Sequence, residues 1–203
     1  MSIPILVTGF QPFGDDEINS SLEAVKLLPN TIGNYQINKL ELPVVYYKSW
    51  EILKEAIEKY RPKVVILVGL AGGRPSISIE RVAININDTN FADNEGQAPK
   101  DQLIDESGPD SYFTTLPYRK IVEDMIKSGI PAYISDDAGT FICNHVMYHL
   151  LNYNKINNLS IIGGFIHVPF CTEQVLNKPR SASLTLEQIS KGLQSAINSI
   201  TIE

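Results

Sequence analysis

Short apolar blocks and amphipathic blocks alternate along the chain. Three apolar runs, each followed directly by Gly or Pro, predict buried strands at 3–8, 64–68 and 161–168. From Trp50 to Tyr60 the apolar residues recur every three or four positions, which predicts an amphipathic helix. Strands that alternate with helices favour the α/β class, so we expect a single-domain α/β/α sandwich with a largely parallel twisted sheet.

Capping patterns and shorter apolar runs predict the remaining elements. Ser20 with Glu23, and Thr185 with Gln188, have the spacing of capping boxes, so each pair predicts the start of a helix. Further strands are predicted at 35–42, within 76–87 and at 132–135, and further helices near 121–126 and at 143–151. The polar segment 90–110 predicts a long loop, and a length of 203 residues suits one domain.

Charge and apolar content argue against several classes of protein. The net charge of -6, without a long basic run, argues against a nucleic-acid partner. No apolar stretch approaches the roughly 18 to 20 residues of a membrane helix, and the first residues lack the basic region of a signal peptide. The two cysteines, Cys143 and Cys171, belong to no CxxC pair, so we expect neither a disulfide nor a zinc ribbon. These features predict a cytoplasmic protein.

Three segments lie where an α/β sheet commonly carries its active site. Residues 9–14, 69–74 and 167–170 each lie at the end of a predicted strand. In such sheets the functional residues collect beyond the carboxyl ends of the strands. The glycines within 69–74 lack the Lys-Ser/Thr pair of a phosphate loop, so no nucleotide site is predicted.

Cys143 is the candidate nucleophile because it opens a predicted helix. A helix N-terminus presents free N–H groups and the positive end of the dipole, which would lower the pKa of a thiol. The same N–H groups can hold the oxyanion of a tetrahedral intermediate. The alternative is a small buried core residue, a common role of free cysteine.

His167 is the candidate general base. It lies at the end of a predicted buried strand, shortly before Pro169. A base at that edge of the sheet can take the proton of Cys143. A hydrogen-bonded core histidine is the alternative, and position alone does not separate the two roles.

Glu80, flanked by apolar residues, is a candidate for the carboxylate that orients a catalytic histidine. The residues alone favour a different role for Glu80, an ion pair with Arg81 or Arg74. Asp136 and Asp137 lie shortly before the candidate thiol and compete for the orienting role.

His145 and His149 are four positions apart on a predicted helix and therefore share one face. This spacing can bind zinc, but the glutamate of the HExxH motif is missing. Packing or surface roles are favoured, and a zinc-dependent hydrolase is kept as an alternative.

Six segments together resemble the pyroglutamyl peptidase I family, also called the pyrrolidone-carboxylate peptidases. They are VTGFQPFG at 7–14, VGLAGGR at 68–74, ERVAIN at 80–85, DNEG at 93–96, AGTFICN at 138–144 and GFIHVP at 164–169. They follow the order and spacing of that family across nearly the whole chain. The resemblance therefore implies a single pyroglutamyl-peptidase-like catalytic domain over 1–203.

The resemblance implies a cysteine exopeptidase that hydrolyses the bond after an N-terminal pyroglutamyl residue. By motif, the catalytic residues are Cys143, His167 and Glu80, and the reaction passes through a thioester. The resemblance also implies that Phe10 and Phe13 line the substrate pocket, and we expect Ile142 to line it too. The family implies no metal, no cofactor, a pyroglutamyl-peptide partner and often a homotetramer.

Two positions depart from many members of the family. Asn90 stands where an arginine is usual, and Leu70 stands where many bacterial members have glutamine. The alternative to an active peptidase is therefore a catalytically weakened relative that only binds pyroglutamyl-type ligands. Neither change touches the three proposed catalytic residues.

Overall fold

Strands and helices follow one another along the chain, as the alternating pattern predicts. The computed structural model of the protein describes residues 2–202. The strands are β1 (Ile3–Phe10), β2 (Thr31–Ile32), β3 (Tyr35–Leu42), β4 (Val64–Leu70), β5 (Ile77–Glu80), β6 (Val82–Ile84), β7 (Ser111–Phe113), β8 (Ala132–Ser135), β9 (Ile162–Val168), β10 (Phe170–Cys171) and β11 (Ser183–Leu184). The helices are α1 (Ser20–Lys26), α2 (Lys48–Tyr60), α3 (Tyr118–Lys127), α4 (Ile142–Ile156) and α5 (Leu186–Asn198), with a 3₁₀ turn at Thr172–Val175.

Seven strands form the central sheet in the order β2-β3-β1-β4-β9-β5-β8. β3, β1, β4 and β9 are parallel neighbours, and β5 is parallel to β8. β5 runs antiparallel to β9, and the short β2 runs antiparallel to β3. The prediction of a largely parallel sheet is confirmed, with a reversal of direction between β9 and β5.

Each face of the sheet is covered by helices because the buried strands are apolar on both sides. On β4, Val64, Ile66 and Val68 pack with α1, α3 and α5, whereas Val65 and Leu67 pack with α2 and α4. Successive side chains of a strand point to opposite faces, so residue parity assigns each position to one layer. The predicted α/β/α sandwich is confirmed.

The two predicted capping boxes differ in outcome. Thr185 and Gln188 form the box at the start of α5, each side chain accepting from the backbone N–H of the other residue. At α1 the cap is Asn19, which accepts from the N–H of Ser21, so the capping box predicted from Ser20 is wrong. The Ser20 hydroxyl instead donates to the carbonyl oxygen of Pro169 at 2.7 Å.

The polar segment 90–110 is a loop, as predicted, and its backbone is held by buried side chains. Asp93 accepts from the N–H groups of Glu95, Gln97 and Tyr46. These bonds tie the loop to the chain that enters α2. Within residues 2–202, no helix has the length and apolar character needed to cross a membrane.

Candidate active site

Neighbouring strands bring the predicted functional residues to one face of the sheet. Gly69 on β4 is the register partner of His167 on β9, which in turn pairs with Ser78 on β5. Glu80 lies two residues beyond Ser78 and therefore shares its face. By the same parity this is the face covered by α2 and α4. Cys143, at the start of α4, lies over Gly69 of this row.

His167 and Glu80 form a buried hydrogen-bonded pair. Nδ1 of His167 lies 2.7 Å from Oε1 of Glu80, and the two side chains are 5% and 0% exposed. Because a carboxylate only accepts hydrogen bonds, the proton of the neutral imidazole lies on Nδ1. Nε2 is then left as the basic nitrogen.

Glu80 also forms the ion pair that the residues alone favoured. Nη1 of Arg74 donates to the same Oε1 at 2.6 Å, so the orienting role and the ion pair coexist. Arg81 pairs instead with the carboxylate of Asp136. The carboxylate of Asp137 accepts from the N–H of Gly139 in its own turn. The two aspartates that competed for the orienting role are therefore engaged elsewhere.

Burial and charge act against each other on this pair. Burial would raise the pKa of Glu80, but the hydrogen bond from His167 and the positive charge of Arg74 hold that pKa below its usual value. Burial lowers the pKa of His167, and Glu80 opposes part of that effect. The resting pair is therefore an ionised glutamate beside a neutral imidazole.

Cys143 is the second residue of α4. The cap residue Phe141 offers no side-chain acceptor to the first turn. The sulfur approaches the bare backbone of Gly69: a Cβ built there would lie 3.0 Å from Sγ. A side chain at position 69 would occupy this space. The glycine therefore lets the sulfur lie against β4, the strand next to the one that carries His167.

The thiol is protonated at rest, which corrects the expectation from its helix position. Burial raises the pKa of Cys143 to about 12, and the negative charge of Glu80 adds to the rise. Arg74 and the backbone N–H of Cys143 act in the opposite direction but do not reverse it. Desolvation of a thiolate here outweighs the helix terminus. Attack by Cys143 therefore needs a base that removes the proton.

A cavity of about 540 Å³ opens over the sulfur. All three predicted pocket residues line it, namely Phe10, Phe13 and Ile142, together with Cys143. The remaining lining residues are Asp16, Ile18, Asn19, Val44, Leu70, Gly72, Phe91, Phe141 and Phe170. The wall is largely apolar and aromatic, which suits a small ligand without a formal charge.

Sequence reasoning missed three aromatic residues of this wall. Phe91 lies in a loop, Phe141 caps α4 and Phe170 begins the two-residue strand β10, so none of them lies in a long predicted element. Their position within or next to the recognised motifs was the available signal. Phe13 and Phe141 are 5.4 Å apart between ring centroids, so one predicted and one missed residue form a single aromatic surface.

His145 and His149 have partners in the protein interior. Nε2 of His145 accepts from the N–H of Tyr47 at 3.3 Å, and Nδ1 lies 3.1 Å from Oδ1 of Asn87. The ring of His149 stacks on Trp50 at 5.1 Å. No group of three or more His, Cys, Asp or Glu in the described part of the chain is arranged to hold a metal ion. Both histidines pack the layer between α2 and α4.

The two departures from the family pattern lie at different distances from the cavity. Leu70 is part of the cavity wall. Asn90 is exposed outside that wall, and its Oδ1 accepts from Nζ of Lys100. Its neighbour Phe91 contributes the ring that reaches the cavity.

A protonated thiol at a helix N-terminus, a neutral imidazole on the adjoining strand and a buried carboxylate are the groups of a cysteine-type hydrolase. The sequence matches the model of the pyroglutamyl peptidase family over residues 3–203. The chain therefore belongs to the pyroglutamyl peptidase family, whose members are cysteine peptidases.

Comparisons with known sequences and with solved structures agree with this assignment. The chain is 51% identical to a pyrrolidone-carboxylate peptidase of Brachyspira hyodysenteriae, covering 93% of this chain and 94% of that protein. It is 45% identical to the crystal structure of pyroglutamyl peptidase I of Bacillus amyloliquefaciens, with a TM-score of 0.93 and coverage of 96% and 95%. A mutant pyrrolidone carboxyl peptidase of Pyrococcus furiosus gives 39% identity and a TM-score of 0.93, covering 97% of each chain.

Proposed function

We propose that this protein is a cysteine exopeptidase that hydrolyses the bond after an N-terminal pyroglutamyl residue of peptides. The observation that carries the proposal is the largely apolar cavity that has Cys143 in its wall. Family membership supplies the reaction class, and the names of the relatives supply the substrate class.

The cavity favours a neutral terminal group. Pyroglutamate is a five-membered lactam, so its nitrogen carries no charge at neutral pH. An ordinary N-terminal residue carries an ammonium group, whose burial against Phe10, Phe13 and Phe141 would be costly without a partner. Among the lining residues, Asp16 is the one side chain with a charge, and Lys178 already pairs with it. The apolar wall therefore selects the lactam over a free amine.

Proton transfer from Cys143 starts the proposed reaction. The proton of Sγ passes to Nε2 of His167, and the sulfur attacks the pyroglutamyl carbonyl carbon. The resulting oxyanion is held by backbone N–H groups at the start of α4. His167 then gives its proton to the leaving amine as the C–N bond breaks. A thioester with Cys143 remains, and the shortened peptide leaves.

Water completes the cycle by hydrolysis of the thioester. His167 removes a proton from water, which attacks the same carbonyl carbon. The C–S bond breaks, pyroglutamate leaves, and the sulfur recovers its proton from His167. Throughout, Glu80 holds the Nδ1–H tautomer of His167, so that Nε2 faces the reaction.

The runner-up function is a weakened relative that binds pyroglutamyl ligands without cleaving them. The observation that favours it is Asn90, which brings no charge and whose amide oxygen is engaged by Lys100. The cytoplasmic location and the homotetramer implied by the resemblance stay predictions. Sedimentation of the purified protein tests the tetramer.

Substrate selectivity tests the proposed function. Three peptides that differ only in the first residue (pyroglutamate, glutamate or proline) are incubated with the protein, and products are identified by mass spectrometry. We expect release of free pyroglutamate from the first peptide and no cleavage of the other two. Binding of the pyroglutamyl peptide without release supports the runner-up function. Equal cleavage of all three peptides contradicts the proposed specificity.

A further inference from the structure

Arg74 joins three segments around the site. Its Nη1 donates to Oγ of Ser78 and to Oε1 of Glu80, both at 2.6 Å, and its Nη2 donates to the carbonyl oxygen of Asp137 at 2.7 Å. Ser78 and Glu80 belong to β5, whereas Asp137 lies between β8 and α4. A planar guanidinium presents several donors in a fixed fork, which suits it to join such segments. Arg74 therefore fixes the carboxylate relative to the chain that leads to Cys143.

Arg74 and His167 donate to the same carboxylate oxygen. Both bonds end on Oε1 of Glu80, at 2.6 and 2.7 Å. A cation on that oxygen reduces the pull of the carboxylate on the imidazole and so disfavours the imidazolium. The side chain of Arg74 is 24% exposed and that of Glu80 is 0% exposed, so solvent screens their interaction weakly.

We propose that Arg74 is a positioning residue that fixes Glu80 and sets the proton balance between Cys143 and His167. The inference rests on the proposed function for its kinetic consequence only. Arg74 touches neither the sulfur nor the cavity wall in the contacts described above, so it acts through Glu80 and through its charge.

The charged groups that act on His167 come from three segments. They are Glu80 on β5, Arg74 after β4 and Asp137 before α4. Beside the effect of burial, Arg74 lowers the pKa of His167, whereas Glu80 and Asp137 raise it. Burial raises the pKa values of Cys143 and Glu80, whereas the charge of Arg74 acts to lower both of them.

Loss of the Arg74 charge therefore moves all three pKa values upward. His167 must be neutral and Glu80 ionised for catalysis, so the acidic limb of the kcat/KM profile moves to higher pH. The thiolate fraction of Cys143 at a fixed pH falls at the same time. These two shifts distinguish an electrostatic role from a purely structural one, which would lower activity at every pH alike.

The test compares Arg74→Gln with Arg81→Gln. Arg81 is the neighbour of Glu80 in sequence, but its side chain pairs with Asp136 near the surface, so it is a matched loss of charge. For Arg74→Gln we expect the acidic limb to rise by about one pH unit and kcat/KM at neutral pH to fall about 10- to 100-fold. For Arg81→Gln we expect the wild-type profile.

Alkylation of Cys143 by iodoacetamide gives a readout that does not depend on peptidase activity. The rate at Cys143, followed by mass spectrometry of the peptide that contains it, should fall about tenfold in Arg74→Gln, since a thiolate is the reacting form. Millimolar guanidinium should restore part of the rate in Arg74→Ala and leave Arg81→Ala unchanged. If wild type cleaves no pyroglutamyl peptide, the proposed function fails while this readout still tests Arg74.

An unshifted acidic limb and an unchanged alkylation rate in folded Arg74→Gln would overturn the proposal. Should that variant not fold, Arg74→Lys decides the question, because it keeps the charge but loses the fork. For Arg74→Lys we expect a lower kcat, with the acidic limb of the kcat/KM profile at the same pH as in wild type. A shifted limb in Arg74→Lys, or a kcat/KM equal to wild type at every pH, would contradict the proposal.

Discussion

His167 and Glu80 meet diagonally across two strands that run in opposite directions. Ser78, not Glu80, is the register partner of His167, and Glu80 pairs in register with Phe165. The diagonal offset still leaves 2.7 Å between Nδ1 and Oε1, because both residues are long enough to span it. Because β5 runs antiparallel to β9, the carboxylate of Glu80 lies beside Phe165 and reaches along β9 to the imidazole of His167.

Glu80→Gln tests the contribution of this carboxylate. The amide can still accept from Nδ1, but it cannot stabilise the imidazolium by charge, and it leaves Arg74 without its counter-ion. We expect kcat to fall about 10²- to 10⁴-fold with KM nearly unchanged, measured on a pyroglutamyl amide substrate.

Glu23→Gln is the matched control, since Glu23 pairs with Lys26 on the surface of α1. We expect it to keep wild-type kinetics. A kcat within twofold of wild type in folded Glu80→Gln would show that the carboxylate does not orient His167.

Gly69→Ala tests the close approach of the sulfur to β4. The new Cβ would lie 3.0 Å from Sγ of Cys143 and 2.6 Å from a ring carbon of Phe165, so one of these groups must move. We expect a loss of kcat of about 10²-fold from the displaced nucleophile. The overpacking should also cost about 1 to 3 kcal/mol in the free energy of unfolding.

Gly163→Ala is the comparison for Gly69→Ala. Its nearest contact would be a methyl carbon of Leu150 at 3.1 Å, at the end of a side chain that can shift. We expect activity close to wild type. Equal activity of the two variants would contradict the proposed position of the sulfur.

Phe10 and Phe13 have different expected effects although both line the cavity. Phe10 is 3% exposed and its ring stacks on Phe165, so Phe10→Ala should cost about 3 to 5 kcal/mol of stability. Phe13 is only partly buried, so Phe13→Ala should raise KM about tenfold with a small effect on stability. Phe113→Ala, exposed and outside the cavity, is the control with unchanged KM. Unchanged KM in Phe13→Ala would exclude Phe13 from substrate binding.

Buried histidines make the fold sensitive to mild acid. Burial lowers the pKa of His145 from 6.5 to about 2 and that of His149 from 6.5 to about 4. Below pH 6.5 the unfolded chain takes up protons that the folded chain does not, so stability is complete above that pH and falls below it. Between pH 6.5 and 5, each of these two histidines should lower the free energy of unfolding by up to about 2 kcal/mol.

Urea unfolding at pH 7.5 and at pH 5 measures this loss. His149→Phe removes one titrating group while keeping a ring against Trp50, so the loss should become smaller. The same loss in His149→Phe as in wild type would contradict the assignment to His149.

The hydrophobic periodicity of the sequence predicted most of the helices and strands, because burial on one face dictates that periodicity. The strands at 35–42 and 132–135 have the predicted bounds, and α2 ends at Tyr60, where the predicted helical periodicity ends. The antiparallel direction of β5 was beyond prediction, since the four residues Ile77–Glu80 show the same alternation in either direction. Pairing depends on contacts between distant segments, which a local pattern does not contain.

The chemistry of individual groups was harder to predict than their positions. The motifs identify Cys143 as the candidate nucleophile, but they do not show how far the protein shields its sulfur from water. Helix position therefore predicted a lowered pKa for Cys143, whereas burial raises it. For Glu80, the sequence offered Arg74 and a histidine as competing partners, and the structure places both on one oxygen.

The most direct test of the account is the role of the Cys143 sulfur. Release of a fluorogenic amine from its pyroglutamyl conjugate is measured for wild type, Cys143→Ala and Cys171→Ala, with and without EDTA. Cys171 is fully buried and is not one of the residues that line the cavity, so its variant controls for general loss of a thiol. We expect Cys143→Ala to lose activity to the background rate, and wild type and Cys171→Ala to remain active with EDTA present. Activity in folded Cys143→Ala, or loss of wild-type activity to EDTA, would contradict the account.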